Sequence, residues 1–355
     1  HYEVDVTALT LSHRGSVEAP ARVQYAWPNA DASLLYVATS SGGPGRDGTV
    51  HTLSAYAIDG DNGALSAHGA TAALPERPIH VSLSTDGRFA LVAFNASAMI
   101  EVFRIEADGS VGPKVAQPRI NAGAYAHQVR QAPGGTVFSV GLGTADEPGS
   151  LTTFAYADGH LTRTAHFSLA RPLGPRHLDF DPARGLVYVS VEHGNMLHAY
   201  GFVAGRLAAT PRYRGTTLAA PGNLRQGQHA GTLHLHPRGH VLYVANRANH
   251  VGAHGFSGGE NGIAVFSLGS GRPMAIQHVD SDGIEPRTFS LDPSGRMMVV
   301  ANQMRLGEVP ASLAVFAVAP DGKLRHVRSY PISDDGLRPL FWSAMVARDN
   351  EGESE

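Results

Sequence analysis

The chain has 355 residues, a net charge of −3 and only 17% charged residues, so it carries no basic field suited to nucleic acid. It contains no cysteine, which excludes disulfides, thiolate nucleophiles and cysteine-ligated zinc. The longest apolar runs have the length of strands, so we expect no membrane-spanning segment. The sequence starts at His1 without a methionine, as a tag remnant or a processed precursor would. We expect a cytoplasmic protein, with a removed N-terminal signal left open.

The predicted elements begin with a strand-like segment from Tyr2 to His13. After it, an apolar "YVAN"-like motif recurs at intervals of about fifty residues, a period typical of propeller blades. The motif begins at Tyr36, Leu91, Ser139, Tyr188, Tyr243 and Val299. The chain therefore contains six repeated units.

Each unit has the same order of elements. A short apolar strand, such as the one from Arg287, is followed by a tight turn such as "DPSGR" at Asp292. The "YVAN"-like strand comes next. A third strand with aromatic residues follows, as in "IAVFSL" at Ile263, and a weaker fourth strand ends the unit. Four antiparallel strands at this period predict one blade of a β-propeller.

A last strand-like segment, "PLFWSAMVA", runs from Pro339 to Ala347. Paired with the N-terminal strand, it can build a seventh blade that closes the ring and protects its edges. We therefore predict an all-β fold in which residues 1–355 form a single seven-bladed β-propeller domain. Each blade has four antiparallel strands, the last blade is closed by the N- and C-terminal strands, and approximately 348–355 form a disordered tail. The alternative is a six-bladed ring with disordered ends.

Polar residues are concentrated at equivalent positions of the repeats. When strands are counted outward from the channel, the start of the first strand and the end of the second lie on one rim, because the two are antiparallel. The second strands end near Asn95, Glu192, Arg247 and Gln303, and the first strands begin near His80, His127, Arg176, His177, His229 and Arg287. Long glycine-containing loops follow several second strands, which favours a binding mouth on this rim.

The same residues have a structural interpretation. His80, Arg287 and Gln303 can tie neighbouring blades, and a carboxylate with two arginines can form a buried ion network. His234 and His236 share a strand face, but no carboxylate stands at a helpful spacing. We therefore expect no metal ion and no organic cofactor.

Five phrases of the repeats are more specific than general propeller vocabulary. They are "GPRHLDFDP" at Gly174, "YVSVEHGNMLHAY" at Tyr188, "LHLHPRGHVLYVANR" at Leu233, "GGENGIAVF" at Gly258 and "GIEPRTFSLDPSGRMMVVANQ" at Gly283. Over roughly residues 20 to 330 the chain resembles the seven-bladed propeller lactonase family. That family includes 6-phosphogluconolactonases and a fungal type of 3-carboxy-cis,cis-muconate lactonizing enzyme.

The resemblance to the cyclase branch implies a catalytic set of one histidine, two arginines and one glutamate. In this sequence the matching positions are His127, Arg176, Glu192 and Arg247. The chain departs from the family at Val191, where asparagine often precedes the glutamate, and at Glu285, where histidine is common.

Hydrolysis of a lactone needs a base to activate water and donors or cations to stabilise the oxyanion. His127 can be that base, with Glu192 orienting it or acting in its place, while Arg176 and Arg247 can hold a substrate carboxylate. The predicted substrate-binding residues are His80, His177, Arg287, Gln303, Asn95 and His229. The sequence thus predicts a metal-independent lactonase that hydrolyses a small acidic or sugar lactone at the channel mouth.

Two alternatives stay open. The same residues can add a carboxylate to an alkene, which would make the protein a muconate-type lactone-forming cycloisomerase acting on a dicarboxylic acid. A non-catalytic propeller that binds a ligand or a protein on the loop-rich rim is the other alternative. The sequence predicts no nucleic-acid or membrane partner and does not indicate an oligomeric state.

Overall fold

A computed structural model of the chain describes residues 1–43, 45–332 and 340–347. All the regular elements of these residues are β-strands, so the predicted all-β fold is confirmed. The described residues contain no helix of the length and hydrophobicity needed to cross a membrane. The predicted tail and Pro339, the first residue of the predicted C-terminal strand, lie outside the described residues.

The chain opens with an antiparallel hairpin, and six antiparallel sheets follow, five of four strands and one of five. The hairpin is β1 (Tyr2–Asp5) and β2 (Thr10–His13). The first sheet is β3 (Arg22–Pro28), β4 (Leu34–Ser40), β5 (His51–Ile58) and β6 (Leu65–Ala73). The second is β7 (Pro78–Leu83), β8 (Phe89–Phe94), β9 (Met99–Ile105) and β10 (Val111–Lys114), and β11 (Ile120–Asn121) also pairs with β9. The third is β12 (Ala126–Gln131), β13 (Val137–Gly141), β14 (Ser150–Ala157) and β15 (His160–Ser168).

The remaining sheets keep this order, with one insertion. The fourth sheet is β16 (Pro175–Asp181), β17 (Leu186–Val191), β18 (Met196–Val203) and β19 (Arg206–Thr216). The fifth begins with β20 (Gln228–Leu235) and β21 (Val241–Ala248). A rim hairpin of β22 (Val251–Gly252) and β23 (Gly255–Phe256) comes next, and β24 (Gly262–Ser267) and β25 (Met274–Asp280) complete the sheet. The sixth is β26 (Ile284–Leu291), β27 (Met297–Met304), β28 (Ser312–Val318) and β29 (Leu324–Pro331).

Burial follows the position of a strand within its sheet. The second strands are almost wholly buried; β8 and β17 have no exposed residue. The fourth strands alternate, as β15 does, because only one of their faces packs against a neighbour. The weak apolar pattern of the predicted fourth strands is therefore a consequence of their place at the outside.

Apolar cores lie between successive sheets and fix the order of the ring. Tyr36 and Leu53 of the first sheet pack with Val92 of the second, and Phe89 of the second packs with Phe154 of the third. The same arrangement continues to the pair formed by the fifth and sixth sheets. Each such large side chain stabilises the fold by roughly 1.5–3 kcal/mol on burial.

The two chain ends lie between the sixth sheet and the first. Val4 of the hairpin, with Leu340 and Met345, packs against apolar residues of the sixth sheet. Trp342 packs against the core of the first sheet. The ends therefore connect the sixth sheet to the first.

The prediction of a last blade built from terminal strands is wrong for the described residues. β1 and β2 pair only with each other, and residues 340–347 form no strand. Side chains hold this segment instead: the Trp342 ring lies 6.3 Å from Tyr25, and the Met345 N–H donates to Ser290 Oγ at 2.9 Å. Because its aromatic and methionine side chains bind both neighbouring sheets, the segment does not need a ladder of backbone hydrogen bonds.

Candidate active site at the channel mouth

The innermost strand of every sheet carries a β-bulge near its start. Its pairing with the second strand skips one residue, as it does between Pro78 and His80 in β7. The extra residues are Gln24, Ile79, His127, Arg176 and Arg287, and in the fifth sheet one of Gly231 and Thr232. A bulge re-aims the side chain of the extra residue. Four of these side chains face one cavity.

The cavity has a volume of about 330 Å³ and lies on the rim that the repeats predicted. Its lining consists of Arg77, Ile79, Asn95, Tyr125, His127, Leu142, Arg176, Glu192, Arg247, Asn249, Glu285, Arg287 and Gln303. All four residues predicted to be catalytic are among them. Arg287, Gln303 and Asn95, predicted to bind substrate, are there as well.

Four buried charged residues form a linear chain of ion pairs, which we call the paired group: Arg176, Glu192, Arg247 and Glu285. Glu192 Oε2 lies 2.7 Å from Arg176 Nε and 3.0 Å from Arg247 Nη2. Arg247 Nη1 donates to Glu285 Oε1 at 3.0 Å, and the Asn249 amide donates to the same oxygen at 2.8 Å. Arg247 therefore lies between two carboxylates.

Electrostatics keep Glu192, Arg247 and Arg176 ionised. Burial opposes the charge on Glu192, but Arg247 and Arg176 outweigh it and lower the pKa of the carboxyl to about 2. Burial also acts against Arg247, yet Glu192 and Glu285 raise its pKa. Burial and the neighbouring Arg247 lower the pKa of Arg176 to about 10, which leaves that guanidinium charged at neutral pH.

His127 is a neutral imidazole in this site. Burial, followed by Arg176 and Arg287, lowers its pKa well below the ordinary value of 6.5. Its Nδ1 has no hydrogen-bond partner among the described residues, and no hydrogen bond joins it to Glu192 there. The ring is therefore free to accept a proton, and its orientation does not come from a carboxylate.

Arg287 differs from the arginines of the paired group. Its guanidinium carbon lies 4.1 Å from the centre of the Phe341 ring, a cation–π contact with the C-terminal segment. Burial and then Arg176 and Arg247 lower the pKa of Arg287 to about 9. No carboxylate forms an ion pair with it in the part of the chain that the structure describes, so it adds a free positive charge to the cavity.

Three predicted binding residues do not line the cavity. His80 and His177 follow the bulged residues by one position and lie edge to face, with ring centres 6.4 Å apart. His80 is wholly buried, and neither of its nitrogens has a partner in the described residues. His229 lies behind Glu192, against His193. Their roles in binding stay predictions.

Several lining residues were not predicted from the sequence. Arg77, Tyr125 and Glu285 each stand two residues before a bulged lining residue, and alternate residues of a strand face the same side. Applying this spacing to every repeat could have identified them. Leu142 holds the position equivalent to Asn95, because Gly141 pairs with Ala126 as Phe94 pairs with Pro78, but its side chain is apolar. Asn249 lies beyond the end of its strand and left no such signal.

One group of potential metal ligands exists among the described residues. Glu192, His193 and His229 offer ligand atoms within 4.8 Å of one another. The Glu192 carboxylate is already in contact with two guanidinium groups, whose charges repel a dication. The arrangement therefore favours anions over metal ions, and the absence of a metal stays an expectation.

A ring of antiparallel sheets with a polar, arginine-rich cavity at one mouth defines a β-propeller. Residues 1–332 match the family described as "Lactonase, 7-bladed beta-propeller". The chain belongs to this family.

Named relatives agree with the family. The chain is 28% identical to a 6-phosphogluconolactonase of Bacillus subtilis, over 85% of this chain and 83% of that protein. A 6-phosphogluconolactonase of Pectobacterium atrosepticum is 26% identical over 94% of this chain and 91% of its own length. Among solved structures, the periplasmic gluconolactonase PpgL of Pseudomonas aeruginosa matches with a TM-score of 0.76 and 26% identity, over 93% of this chain and 91% of that one.

Proposed function

We propose that the protein is a lactonase that hydrolyses a small acidic or sugar lactone in the cavity at the channel mouth, without a metal ion. The observation that carries the proposal is a neutral, unpartnered His127 in a cavity lined by four arginines and only two glutamates. A neutral imidazole accepts a proton from water, and a surplus of positive charge stabilises an oxyanion. The names of the relatives support hydrolysis rather than lactone formation.

The reaction then proceeds through a tetrahedral intermediate. His127 takes a proton from water as the water oxygen attacks the lactone carbonyl carbon, and the carbonyl oxygen becomes an oxyanion. Arg287, which has no carboxylate partner among the described residues, stabilises that oxyanion together with Arg176. The ring C–O bond breaks, the departing oxygen receives the proton from His127, and a hydroxy acid leaves.

Glu192 acts on the arginines rather than on water. Its Oε2 already contacts two guanidinium groups, whereas His127 Nδ1 has no partner among the described residues. We therefore assign it a positioning role: it fixes Arg176 and Arg247 at the cavity wall.

We also infer that the N-terminal hairpin and residues 340–347 take the place of a seventh blade. They lie between the sixth and first sheets, and the C-terminal segment supplies the Phe341 ring against Arg287. In this arrangement the closure of the ring and the placement of a cavity arginine depend on the same segment.

A titration assay tests the function. Purified protein is given δ-gluconolactone, its 6-phosphate and a glucarolactone, and acid release at constant pH is recorded above the spontaneous rate. We expect turnover of at least one lactone and its loss in the His127→Gln variant. Equal rates for the two proteins on every lactone, or turnover only of substituted muconates, would contradict the proposal.

A further inference from the structure

We propose that Arg77 is the anchor for a second anionic group of the substrate, a carboxylate or phosphate remote from the lactone carbonyl. The inference rests on the proposed lactonase function and adds a specificity-determining residue to it. Arg77 precedes β7 in the second sheet, whereas the paired group belongs to the fourth, fifth and sixth sheets. The two therefore occupy different sides of the cavity.

The guanidinium of Arg77 is held from one edge. Its Nε donates to Gln24 Oε1 at 2.7 Å, and Gln24 is itself buried and donates to the Arg22 carbonyl at 3.2 Å. Gln24 is the bulged residue of the first sheet, so the bulge that aims His127 into the cavity here aims a support for Arg77. The Nη2 atom of Arg77 is buried and has no hydrogen-bond partner in the described residues.

Arg77 also lacks a counterion within the described chain. The neighbouring carboxylate, Glu76, instead accepts hydrogen bonds from the Ser97 N–H at 3.0 Å and the Ser97 hydroxyl at 2.8 Å. Burial lowers the pKa of Arg77, and no carboxylate counteracts this shift. A partly buried cation without an anion is costly to maintain, so a ligand anion would relieve it.

The other arginines are less available for this role. Arg247 is bound by two carboxylates and Arg176 by one, whereas Arg287 stacks on Phe341 beside the paired group. The cavity's four arginines exceed its two glutamates by two charges. One surplus positive charge, at Arg287, can stabilise the oxyanion during the reaction and the carboxylate of the product after it. The other, at Arg77, matches an anion that the substrate carries throughout, and the fork of an arginine suits carboxylate or phosphate.

Paired substrates test the anchor. Michaelis constants for δ-gluconolactone and for its 6-phosphate and glucarolactone counterparts are compared between the wild type and Arg77→Gln. We expect KM for the anionic lactones to rise by about 10- to 100-fold, the effect of losing charged hydrogen bonds, with kcat within about threefold and the neutral lactone unaffected. Arg77→Lys, which keeps the charge but loses the fork, should restore part of the affinity.

Arg305→Gln is the matched control, because Arg305 is an exposed arginine on the same rim outside the cavity lining. It should leave every KM unchanged. Equal losses on neutral and anionic lactones in Arg77→Gln, or no loss on either, would overturn the anchor while leaving the lactonase function in place.

Calorimetric titration separates the two proposals. 6-Phosphogluconate and gluconate are titrated into the wild type and Arg77→Gln without any need for turnover. Preference for the phosphorylated acid that disappears in Arg77→Gln supports the anchor even if no lactone is hydrolysed. Equal affinities of the two proteins for 6-phosphogluconate would reject the anchor.

Discussion

On one side of the cavity Arg176 and Arg247 lie against Glu192, and on the other side Arg77 lies against the neutral amide of Gln24. That second side is lined by Arg77, Asn95 and Tyr125. The residue type is the same in both places, but the partner differs. An arginine between carboxylates already has its charge compensated, so it stabilises and positions. An arginine beside an amide keeps its charge available for a ligand.

The largest effect is expected from breaking the paired group. In Glu192→Gln the buried Arg176 and Arg247 lose a shared carboxylate, and removing one partner of a buried ion pair costs about 3–5 kcal/mol. We expect the free energy of unfolding, measured by urea denaturation, to fall by that amount. Lactone turnover should fall as well, because the two guanidinium groups are no longer held.

Glu285→Gln is the comparison variant for this experiment. It leaves Arg247 in contact with Glu192, so its loss of stability should be clearly smaller. If both variants unfold like the wild type, these ion pairs do not hold the wall of the cavity together.

The second prediction concerns His127, the proposed general base, which lies outside the paired group. His127→Gln should lower kcat by about 10²- to 10⁴-fold, the usual contribution of a general base. The free energy of unfolding should change little, since His127 Nδ1 has no partner to lose among the described residues.

His198→Gln provides the control for His127. Both rings are buried, but only His127 lines the cavity, and His198 contacts Tyr200 instead. We expect kcat of His198→Gln to stay within a few-fold of the wild type. A kcat as low as that of His127→Gln would mean that the loss does not depend on a place in the cavity.

The repeats of the sequence explain which cavity residues could be predicted and which could not. Asn95, Glu192, Arg247 and Gln303 all stand at the ends of second strands, where the apolar motif recurs in every repeat, and all four line the cavity. The cavity-lining residues of the first strands were harder to predict, because a bulge changes which residue faces the mouth without changing the apolar pattern. His80 was therefore aligned with His127, although the structure makes Ile79 its equivalent.

The structure of the C-terminal segment and the partners of the arginines could not be predicted, because both depend on contacts between residues that are far apart in the sequence. Residues 340–347 have the composition of a strand, yet their aromatic side chains find pockets on two sheets and no strand pairs with them. The sequence also gives Arg77 and Arg247 equal weight as cations. Only the three-dimensional arrangement shows that one meets two carboxylates and the other a neutral amide.

Acid should destabilise the fold through three buried histidines before it protonates Glu192. Burial lowers the pKa values of His80, His127 and His177 well below 6.5, with nearby arginines adding to the effect. As the pH falls below about 6.5, the unfolded chain takes up protons that the folded chain refuses, so stability falls, by up to about 1.4 kcal/mol per pH unit for each histidine. Glu192, with its pKa lowered to about 2 from 4.5, contributes stability that is lost only below about pH 4.5.

Thermal unfolding followed from pH 7.5 to 2.5 separates these two windows. His80→Phe replaces a wholly buried ring that does not line the cavity, and it should reduce the slope between pH 6.5 and 5. A slope identical to that of the wild type would assign the acid sensitivity to other groups.

The smallest expected effect has the opposite sign to that of Glu192→Gln. Arg77→Gln removes a partly buried charge that has no carboxylate partner among the described residues, so the free energy of unfolding should stay level or rise by up to about 1 kcal/mol. Added inorganic phosphate should raise the unfolding temperature of the wild type more than that of the variant, since an anion binding only the folded state stabilises it. A loss of stability comparable to that of Glu192→Gln would show that Arg77 has a structural partner and would remove the distinction between the two sides of the cavity. A gain or no change, together with a lost response to phosphate, would show that an arginine left without a carboxylate is maintained for a ligand.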